Sequence, residues 1–275
     1  MNDETGKYDS KIHLKQMGNL TVTNLFSMKG KVVVVTGGSR GIGLMMCKAY
    51  VENGAKVYIV SRKKSACDMV ADALNSMETA SGFAVSCPAD IGSDVACKKL
   101  ASDISKLESQ IDVLVNNAGI TWGSNFYDFP EAAWNKLYNV NVTSIFQLSR
   151  AFTPLLKNAS QGNLDPSHII NVSSVAGNND SSSPYDVAPS YAASKAAANK
   201  VTQILAAYLV KEHINVNCIA PAVFPSDMTY KYQLKNKNLA IMTDKMHPGK
   251  SLIYMAHVQA GVYDYNFFFI FFNTF

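Results

Sequence analysis

The sequence contains 275 residues, of which 48% are hydrophobic and 17% charged, so it holds enough apolar material for one large domain. The formal net charge of +4 comes from short, scattered basic runs, which argues against nucleic acid as a partner. No apolar run approaches the roughly 20 residues that a membrane-spanning helix needs, so we expect no membrane partner.

The five cysteines form no CxxC pair and no Cys/His cluster with metal-ligand spacing. An odd number of thiols without a pairing pattern is typical of a reducing compartment. The N-terminal residues are polar and of mixed charge, unlike a signal or transit peptide. These features predict a cytoplasmic protein without a bound metal.

Residues 1–29 are polar and lack periodicity, and we interpret them as a flexible N-terminal extension whose candidate docking residues are Leu25 and Phe26. The β-branched run KVVVVTG follows and predicts a buried parallel strand. The next segment, GIGLMMCKAYVENGA, has helical periodicity and ends at Asn53-Gly54, a common helix stop.

The alternation of strand and helix continues to about residue 221. Further strand-like runs lie at 56–62, 82–90, 111–119, 168–174 and 214–221, and helix-like runs lie at 65–77, 93–107, 131–157 and 189–212. Pro154 is expected to bend or end the helix over 131–157. This pattern predicts the α/β class, with a doubly wound, Rossmann-like parallel sheet in a single domain over about 30–230.

The first crossover, TGGSRGIG, carries Gly37, Gly41 and Gly43. Glycines there let the backbone approach a pyrophosphate at a helix N-terminus, where free N–H groups and the helix dipole favour an anion. A plain strand-to-helix turn is the alternative. A glycine turn that follows the first strand and opens a helix is the context that nucleotide binding requires, so we favour a nucleotide site.

The second strand ends in Ser61-Arg62, at the place where a carboxylate would favour NAD by binding the adenosine ribose. No carboxylate is present there. Arg62, together with Arg40 of the glycine turn, can instead form paired hydrogen bonds with the 2′-phosphate of NADP. We therefore predict NADP(H) as the cofactor, the alternative being two exposed arginines without a ligand.

Two more strand ends carry polar residues at the same predicted edge. Asp90 is placed to meet the adenine amino group, or to act as the N-cap of the next helix. Asn117, in the NNAG segment, is placed to hold neighbouring strands together or to contact the ribose.

Together these pieces resemble the short-chain dehydrogenase/reductase family over about residues 31–229. The resemblance rests on TGGSRGIG, NNAG, NVNVTSIF, INVSSVAG and YAASK. Segments such as GITWGSNF and SSVAG are especially similar to the 3-oxoacyl-(acyl-carrier-protein) reductases of the rhamnolipid-biosynthesis type. The family resemblance implies four active-site positions, Asn141, Ser174, Tyr191 and Lys195. It also implies a homodimer or homotetramer formed through the helices at 131–157 and 189–212.

The chemistry of a ketone reduction suits these residues. Tyrosine ordinarily titrates at about 10, and a lysine ammonium one helical turn away favours its phenolate. Among the thirteen tyrosines, Tyr191 alone has a lysine four residues later. Lys195 would also hold the nicotinamide ribose, Ser174 would hydrogen-bond the substrate oxygen, and Asn141 would hold a water that returns protons to Lys195.

The cofactor site as a whole is expected to draw on all the strand ends of the predicted sheet. Its expected residues are Gly37, Ser39, Arg40, Gly41, Ile42, Gly43, Ser61, Arg62, Asp90, Ile91, Asn117, Ala118, Gly119, Tyr191, Lys195, Pro221, Val223 and Ser226.

The sequence departs from the family pattern in three places. The segment between Ser174 and Tyr191 is longer than usual, and Pro221 is followed by alanine rather than glycine. The resemblance fades after about residue 229, and the run FFFIFF at 267–272 would favour aggregation if exposed. We interpret 231–275 as an altered or truncated ending, with a substitute edge strand as the alternative.

The sequence therefore predicts an NADPH-dependent reductase that converts a ketone, with a 3-oxoacyl thioester as the first candidate, to a secondary alcohol. A polyol or sugar alcohol dehydrogenase on the same scaffold is the enzymatic alternative. A nucleotide-binding protein with impaired catalysis, owing to the altered C-terminus, is the alternative from another class.

Overall fold

A six-stranded sheet forms the centre of the molecule. The computed structural model describes residues 21–124, 127–160, 165–178 and 188–221. The strands are β1 (Val32–Thr36), β2 (Lys56–Ser61), β3 (Phe83–Pro88), β4 (Val113–Asn116), β5 (Ser167–Val172) and β6 (Ile214–Ile219). Every pairing is parallel, and the strand order is β3-β2-β1-β4-β5-β6. The predicted fold class is confirmed.

Helices connect the strands, as the alternating pattern predicted. They are α1 (Val22–Leu25), α2 (Gly41–Glu52), α3 (Lys64–Asn75), α4 (Asp94–Ser105), α5 (Glu131–Tyr138), α6 (Ser144–Ser160) and α7 (Pro189–Leu209). Short 3-10 turns at Val175–Gly177 and Val210–Glu212 follow β5 and α7.

The two faces of the sheet each have their own core. Successive residues of a strand point to opposite faces, so Val34 packs with Phe152 on one side while Val33 and Val35 pack with Cys47 on the other. The first core includes residues of α4, α6 and α7, and the second includes residues of α2 and α3. A strand buried on both faces needs apolar residues throughout, which explains the run of four valines in β1.

The topology defines where a ligand would bind. The chain moves outward from β1 to β2 and β3, then returns to place β4 on the other side of β1. In a parallel sheet the carboxyl ends of all strands lie along one edge, and a crevice forms where the strand order reverses. That reversal lies between β1 and β4, which end at Thr36 and Asn116.

The helix predicted over 131–157 differs from the one observed. A π-helical turn, Asn139–Thr143, separates α5 from α6. Pro154 lies inside α6, which continues to Ser160, so of the two alternatives given for Pro154 the one in which it ends the helix was wrong. A proline removes one backbone N–H donor, and burial of neighbouring residues such as Leu155 and Leu156 against the sheet keeps the helix intact beyond it.

The prediction that the N-terminal extension docks through Leu25 and Phe26 was also wrong. Leu25 and Phe26 are 59% and 53% exposed. Met28 packs against the second core instead, and its backbone N–H donates to the carbonyl of Asn53 at 2.8 Å. Residues 1–20, most of the long segment before Tyr191 and all of 222–275 lie outside the described residues, so the expectations for them stay predictions.

None of the helices in the described ranges combines the length and apolar character needed to cross a membrane.

Candidate active site

The glycine turn between β1 and α2 is built so that only glycine fits. Gly37 and Gly41 have φ angles of +67° and +55°, in the left-handed region that side chains disfavour. A Cβ atom at Gly43 would lie 2.3 Å from the carbonyl oxygen of Gly37. The N-cap residue of α2, Arg40, makes no side-chain capping hydrogen bond. The first turn of α2 therefore offers its backbone N–H groups beside a surface without side chains.

Asn117 fixes this turn to the end of β4. Its Nδ2 donates to the carbonyl oxygens of Thr36 at 2.9 Å and Gly37 at 3.3 Å. In return, the Thr36 hydroxyl accepts from the backbone N–H groups of Asn117 and Ala118 at 3.0 and 3.1 Å. Of the two roles predicted for Asn117, the structure therefore shows the one that holds neighbouring strands together.

The end of β2 lies against the glycine turn. The Ser39 hydroxyl donates to the Ser61 hydroxyl at 3.0 Å, and the backbone N–H of Gly37 donates to the carbonyl of Val60 at 2.8 Å. Arg40 and Arg62, which adjoin these two serines in the chain, are both exposed. The structure thus brings the two predicted arginine positions to one edge of the sheet, in contact with solvent.

The Asp90 carboxylate orders the loop after β3. Its Oδ1 accepts from the backbone N–H groups of Ile91 at 2.8 Å and Gly92 at 3.1 Å. The N-cap of α4 is Ser93, whose hydroxyl accepts from Ala96 at 3.2 Å. The alternative that Asp90 caps α4 was therefore wrong, because the capping residue lies three positions later.

Tyr191 and Lys195 lie in the first two turns of α7 and face the same side. The Lys195 Nζ is 5.6 Å from the centre of the Tyr191 ring. Lys195 is only 4% exposed, and its Nζ donates to the carbonyl of Val172 at the end of β5 at 2.7 Å. Burial lowers the pKa of Lys195 from 10.5 to about 8, because removing an ammonium group from water disfavours its charged form. The buried amine therefore loses its proton at a lower pH than an exposed lysine does.

Asn141 lies in the π-helical turn, a distortion that is frequent at functional sites. Its Oδ1 accepts from the backbone N–H of Ile120, and its Nδ2 donates to the Ile120 carbonyl, both at 2.9 Å. The same Nδ2 donates to the Ser194 hydroxyl at 3.0 Å, and that hydroxyl donates to the Tyr191 carbonyl at 2.8 Å. A Cβ atom on Gly119 would lie 3.5 Å from both Asn141 Oδ1 and Lys195 Nζ, so both groups approach this glycine.

Ser174 begins the 3-10 turn after β5. It is 7% exposed, and its hydroxyl accepts from the backbone N–H of Ala176 at 3.2 Å. The preceding residue, Ser173, donates its hydroxyl to the Lys195 carbonyl at 2.9 Å. Hydrogen bonds between β5 and α7 therefore fix the distance between the strand end that carries Ser174 and the helix that carries Lys195.

The structure describes sixteen of the eighteen residues expected to line the cofactor site, with Val223 and Ser226 outside the described ranges. Pro221, the last described residue, accepts from the Val175 backbone N–H at 3.1 Å. The described members lie at or just after the carboxyl ends of strands, or in the first two turns of the helices that follow. Ser194 was not among the predicted site residues, although its place within YAASK, between Tyr191 and Lys195, could have indicated it.

Comparisons with known proteins agree with this geometry. The sequence model of the short chain dehydrogenase family matches residues 31–237. A rhamnolipids-biosynthesis 3-oxoacyl-(acyl-carrier-protein) reductase of Pseudomonas aeruginosa is 41% identical over 204 residues, which are 74% of this chain and 77% of that protein. A 5-keto-D-gluconate 5-reductase of Escherichia coli is 32% identical over 211 residues, which are 76% of this chain and 77% of that protein. The solved Pseudomonas aeruginosa RhlG/NADP active-site complex has a TM-score of 0.72 and 38% identity, and the match covers 81% of this chain and 84% of that one.

Proposed function

The chain belongs to the short chain dehydrogenase family, and from this membership we propose that it reduces a ketone to a secondary alcohol with NADPH. The single observation that carries the proposal is the buried Lys195 amine beside the Tyr191 ring, on a helix to which both Asn141 and the strand end that carries Ser174 are hydrogen-bonded. A protein that only bound a nucleotide would have no need for this proton-exchanging pair.

The residues present fit a dinucleotide. The turn at Gly37, Gly41 and Gly43 offers a surface that a Cβ atom would fill, beside the N-terminus of α2. A pyrophosphate would bind there through backbone N–H groups and the helix dipole. Arg40 and Arg62 would hold the 2′-phosphate that distinguishes NADP from NAD. A solved relative, the RhlG complex, is described as an NADP complex, which supports the choice.

The remaining contacts to the dinucleotide follow from the positions of the strand ends. Ser39 and Ser61 would line the 2′-phosphate side, and Asp90 with Ile91 would face the adenine. Ala118 and Gly119 would lie along the ribose, where Gly119 leaves room beside Lys195. The site around the phosphates and the nicotinamide would be completed by Ile42 and Pro221. Further along the chain, Val223 and Ser226 would add to it.

When bound, the nicotinamide supplies the hydride that reaches the carbonyl carbon. The Tyr191 hydroxyl would give its proton to the carbonyl oxygen, so that one hydride and one proton turn C=O into CH–OH. Ser174 would hydrogen-bond the same oxygen and hold it near the phenol. The Lys195 ammonium would stabilise the phenolate that remains and restore its proton, and a water near Asn141 would reprotonate Lys195.

We propose a 3-oxoacyl thioester as the substrate, because the relative with 41% identity is a 3-oxoacyl-(acyl-carrier-protein) reductase. A sugar or polyol substrate is the second candidate, and the similarity to a 5-keto-D-gluconate 5-reductase favours it. The two candidates differ in polarity, so a panel containing acetoacetyl thioesters and keto-sugars separates them.

The test is NADPH consumption by the purified full chain, followed by the absorbance of the reduced nicotinamide. We expect turnover with acetoacetyl-CoA, and the Tyr191→Phe variant should bind NADPH as tightly as the wild type while losing turnover. Tyr191→Phe tests the proton donor specifically, because it removes only the hydroxyl and keeps the ring. Binding of NADPH without turnover on any ketone would contradict the proposal and favour a nucleotide-binding protein with impaired catalysis.

We also propose that the protein forms a homodimer or homotetramer in the cytoplasm. Large side chains on α6 and α7 are exposed, among them Phe146, Ile204 and Tyr208 at 44%, 43% and 76%. An interface between copies would bury them. All five cysteines are free thiols, as a reducing compartment would keep them. Light scattering coupled to gel filtration would measure the oligomeric state, and a monomer at micromolar concentration would contradict the first part.

A further inference from the structure

A buried amide, Asn199, lies one helical turn after Lys195 and two turns after Tyr191. The spacing of four and eight residues places the three side chains along one side of α7. Asn199 is 8% exposed, and buried amides in proteins are nearly always fully hydrogen-bonded because an unsatisfied one is costly. Its partners therefore show what the residue does.

The Asn199 amide joins three parts of the site. Its Nδ2 donates to Asn178 Oδ1 at 2.5 Å and, over a longer distance of 3.5 Å, to the carbonyl of Gly177. Its Oδ1 accepts from the Cys218 thiol at 3.4 Å. Gly177 ends the 3-10 turn that Ser174 caps, and Cys218 lies in β6. One side chain thus connects α7 both to the turn after Ser174 and to the last strand.

Among the described residues, no other side chain forms a hydrogen bond to the C-terminal end of this turn, at Gly177 and Asn178. At its near end the Val175 backbone N–H donates to the Pro221 carbonyl at 3.1 Å. At its far end, Gly177 packs so closely on α7 that a Cβ atom would lie 2.6 Å from the Lys195 carbonyl carbon. This close approach brings the turn within reach of Asn199, and the amide then holds it there.

We propose that Asn199 is a positioning residue that holds the turn carrying Ser174 against α7, and so sets the Ser174 hydroxyl relative to Tyr191. The inference rests on the proposed function only where it assigns Ser174 to the substrate oxygen. The fastening of the turn itself is independent of any activity, and the experiment measures both parts.

The first measurement is amide hydrogen exchange over residues 172–178 in the full chain. Asn199→Leu keeps nearly the same side-chain volume and removes all three hydrogen bonds of the Asn199 amide, those with Asn178, Gly177 and Cys218. Asn178→Ala removes the shortest of them at an exposed position, where the fold is not at risk. In both variants we expect amide exchange at positions 177 and 178, each corrected for the intrinsic rate of its own sequence, to accelerate about tenfold, which corresponds to about 1.4 kcal/mol. Gln203→Ala, an exposed amide one turn further along α7, is the control and should leave exchange unchanged.

The second measurement is steady-state kinetics with NADPH and acetoacetyl-CoA. We expect Asn199→Leu to lower kcat about tenfold while the Kd for NADPH stays within about twofold. In a Ser174→Ala background, Asn199→Leu should cause no further loss, because an effect that acts through Ser174 disappears with it. A residue with a general structural role would lower activity equally in both backgrounds.

The outcomes separate the two proposals. If amide exchange is unchanged in both Asn199→Leu and Asn178→Ala, the Asn199 amide does not hold the turn against α7. Faster exchange with unchanged kcat overturns the positioning role, and so does an additive loss in the Ser174→Ala background. A wild-type protein that turns over no ketone refutes the proposed function and the link to the substrate oxygen, while the exchange data still decide whether Asn199 holds the turn.

Discussion

Replacing Lys195 by methionine should make the protein more stable near neutral pH. Burial lowers the pKa of Lys195 from 10.5 to about 8, so the folded state holds the ammonium against a desolvation penalty. Each pKa unit corresponds to about 1.4 kcal/mol, and the difference therefore amounts to about 3 kcal/mol of stability lost at pH 7. Methionine has a similar shape and no charge, but it leaves the Val172 carbonyl without a donor, which costs about 1 kcal/mol. The expected net gain at pH 7 is about 2 kcal/mol.

The sign of the pH dependence distinguishes this cause from better packing. Between pH 8 and 10.5 the unfolded chain binds more protons at Lys195 than the folded chain does, so wild-type stability rises with pH across that window. The variant lacks the group, so its advantage should shrink as pH rises and change sign by about pH 10.5. The assay is urea unfolding followed by circular dichroism, with the wild type and Lys195→Met compared at each pH. Taking their difference cancels the titration of other residues.

The reasoning would be refuted if the difference in unfolding free energy between Lys195→Met and the wild type stayed constant from pH 7 to 10.5. It would also be refuted by a variant that is less stable than the wild type at pH 7, because the buried charge would then be favourable. Either result would mean that the amine is better solvated or better paired than its contact with Val172 indicates.

Three further predictions concern the glycine turn, the cofactor and the opposite edge of the sheet. Gly43→Ala should abolish NADPH binding, measured by fluorescence titration, because its Cβ would lie 2.3 Å from a backbone oxygen of the turn; binding at wild-type affinity would contradict this. Arg62→Ala should weaken NADPH binding about 10- to 100-fold and leave NADH unchanged, as expected for one charge-assisted hydrogen bond; an equal loss for both cofactors would contradict the assignment. Asp112→Ala should lower the unfolding free energy by about 2 to 3 kcal/mol, because this carboxylate is buried, pairs with Lys31 at 3.1 Å and accepts from a backbone N–H of β1. Asp165→Ala, at an exposed partner of Lys31, is the control and should cost less than about 1 kcal/mol; equal losses in the two variants would refute the argument.

The architecture could be predicted from the sequence because its signals are local. A run of four valines between polar residues has few ways to bury every side chain except in the middle of a parallel sheet. Gly37, Gly41 and Gly43 indicated a close backbone approach, and two of them have positive φ angles. The spacing of Tyr191 and Lys195 placed both side chains on one side of a helix without knowledge of the fold.

Other features depend on contacts between distant segments, and no local pattern shows them. The interruption between α5 and α6 was not predicted, because a π-helical turn keeps the composition of an α-helix and shifts its hydrophobic spacing by only one residue. Asn199 looks like an ordinary polar residue in an alanine-rich helix until Gly177 is seen against it. Asp90 was open to two interpretations because a carboxylate before a helix can accept from several backbone N–H groups.

The π-helical turn carries one residue more than an α-helical turn would in the same rotation, because its hydrogen bonds span five residues instead of four. Deleting one residue from Asn139–Thr143 would therefore restore regular winding and leave Ile145 and Phe152 facing the sheet. Each residue of an α-helix advances the chain by about 100° around the axis, so a deletion inside α6 itself would swing every later side chain away from the sheet. Chain length is thus fixed along α6, whereas it can change by one residue at the turn that carries Asn141.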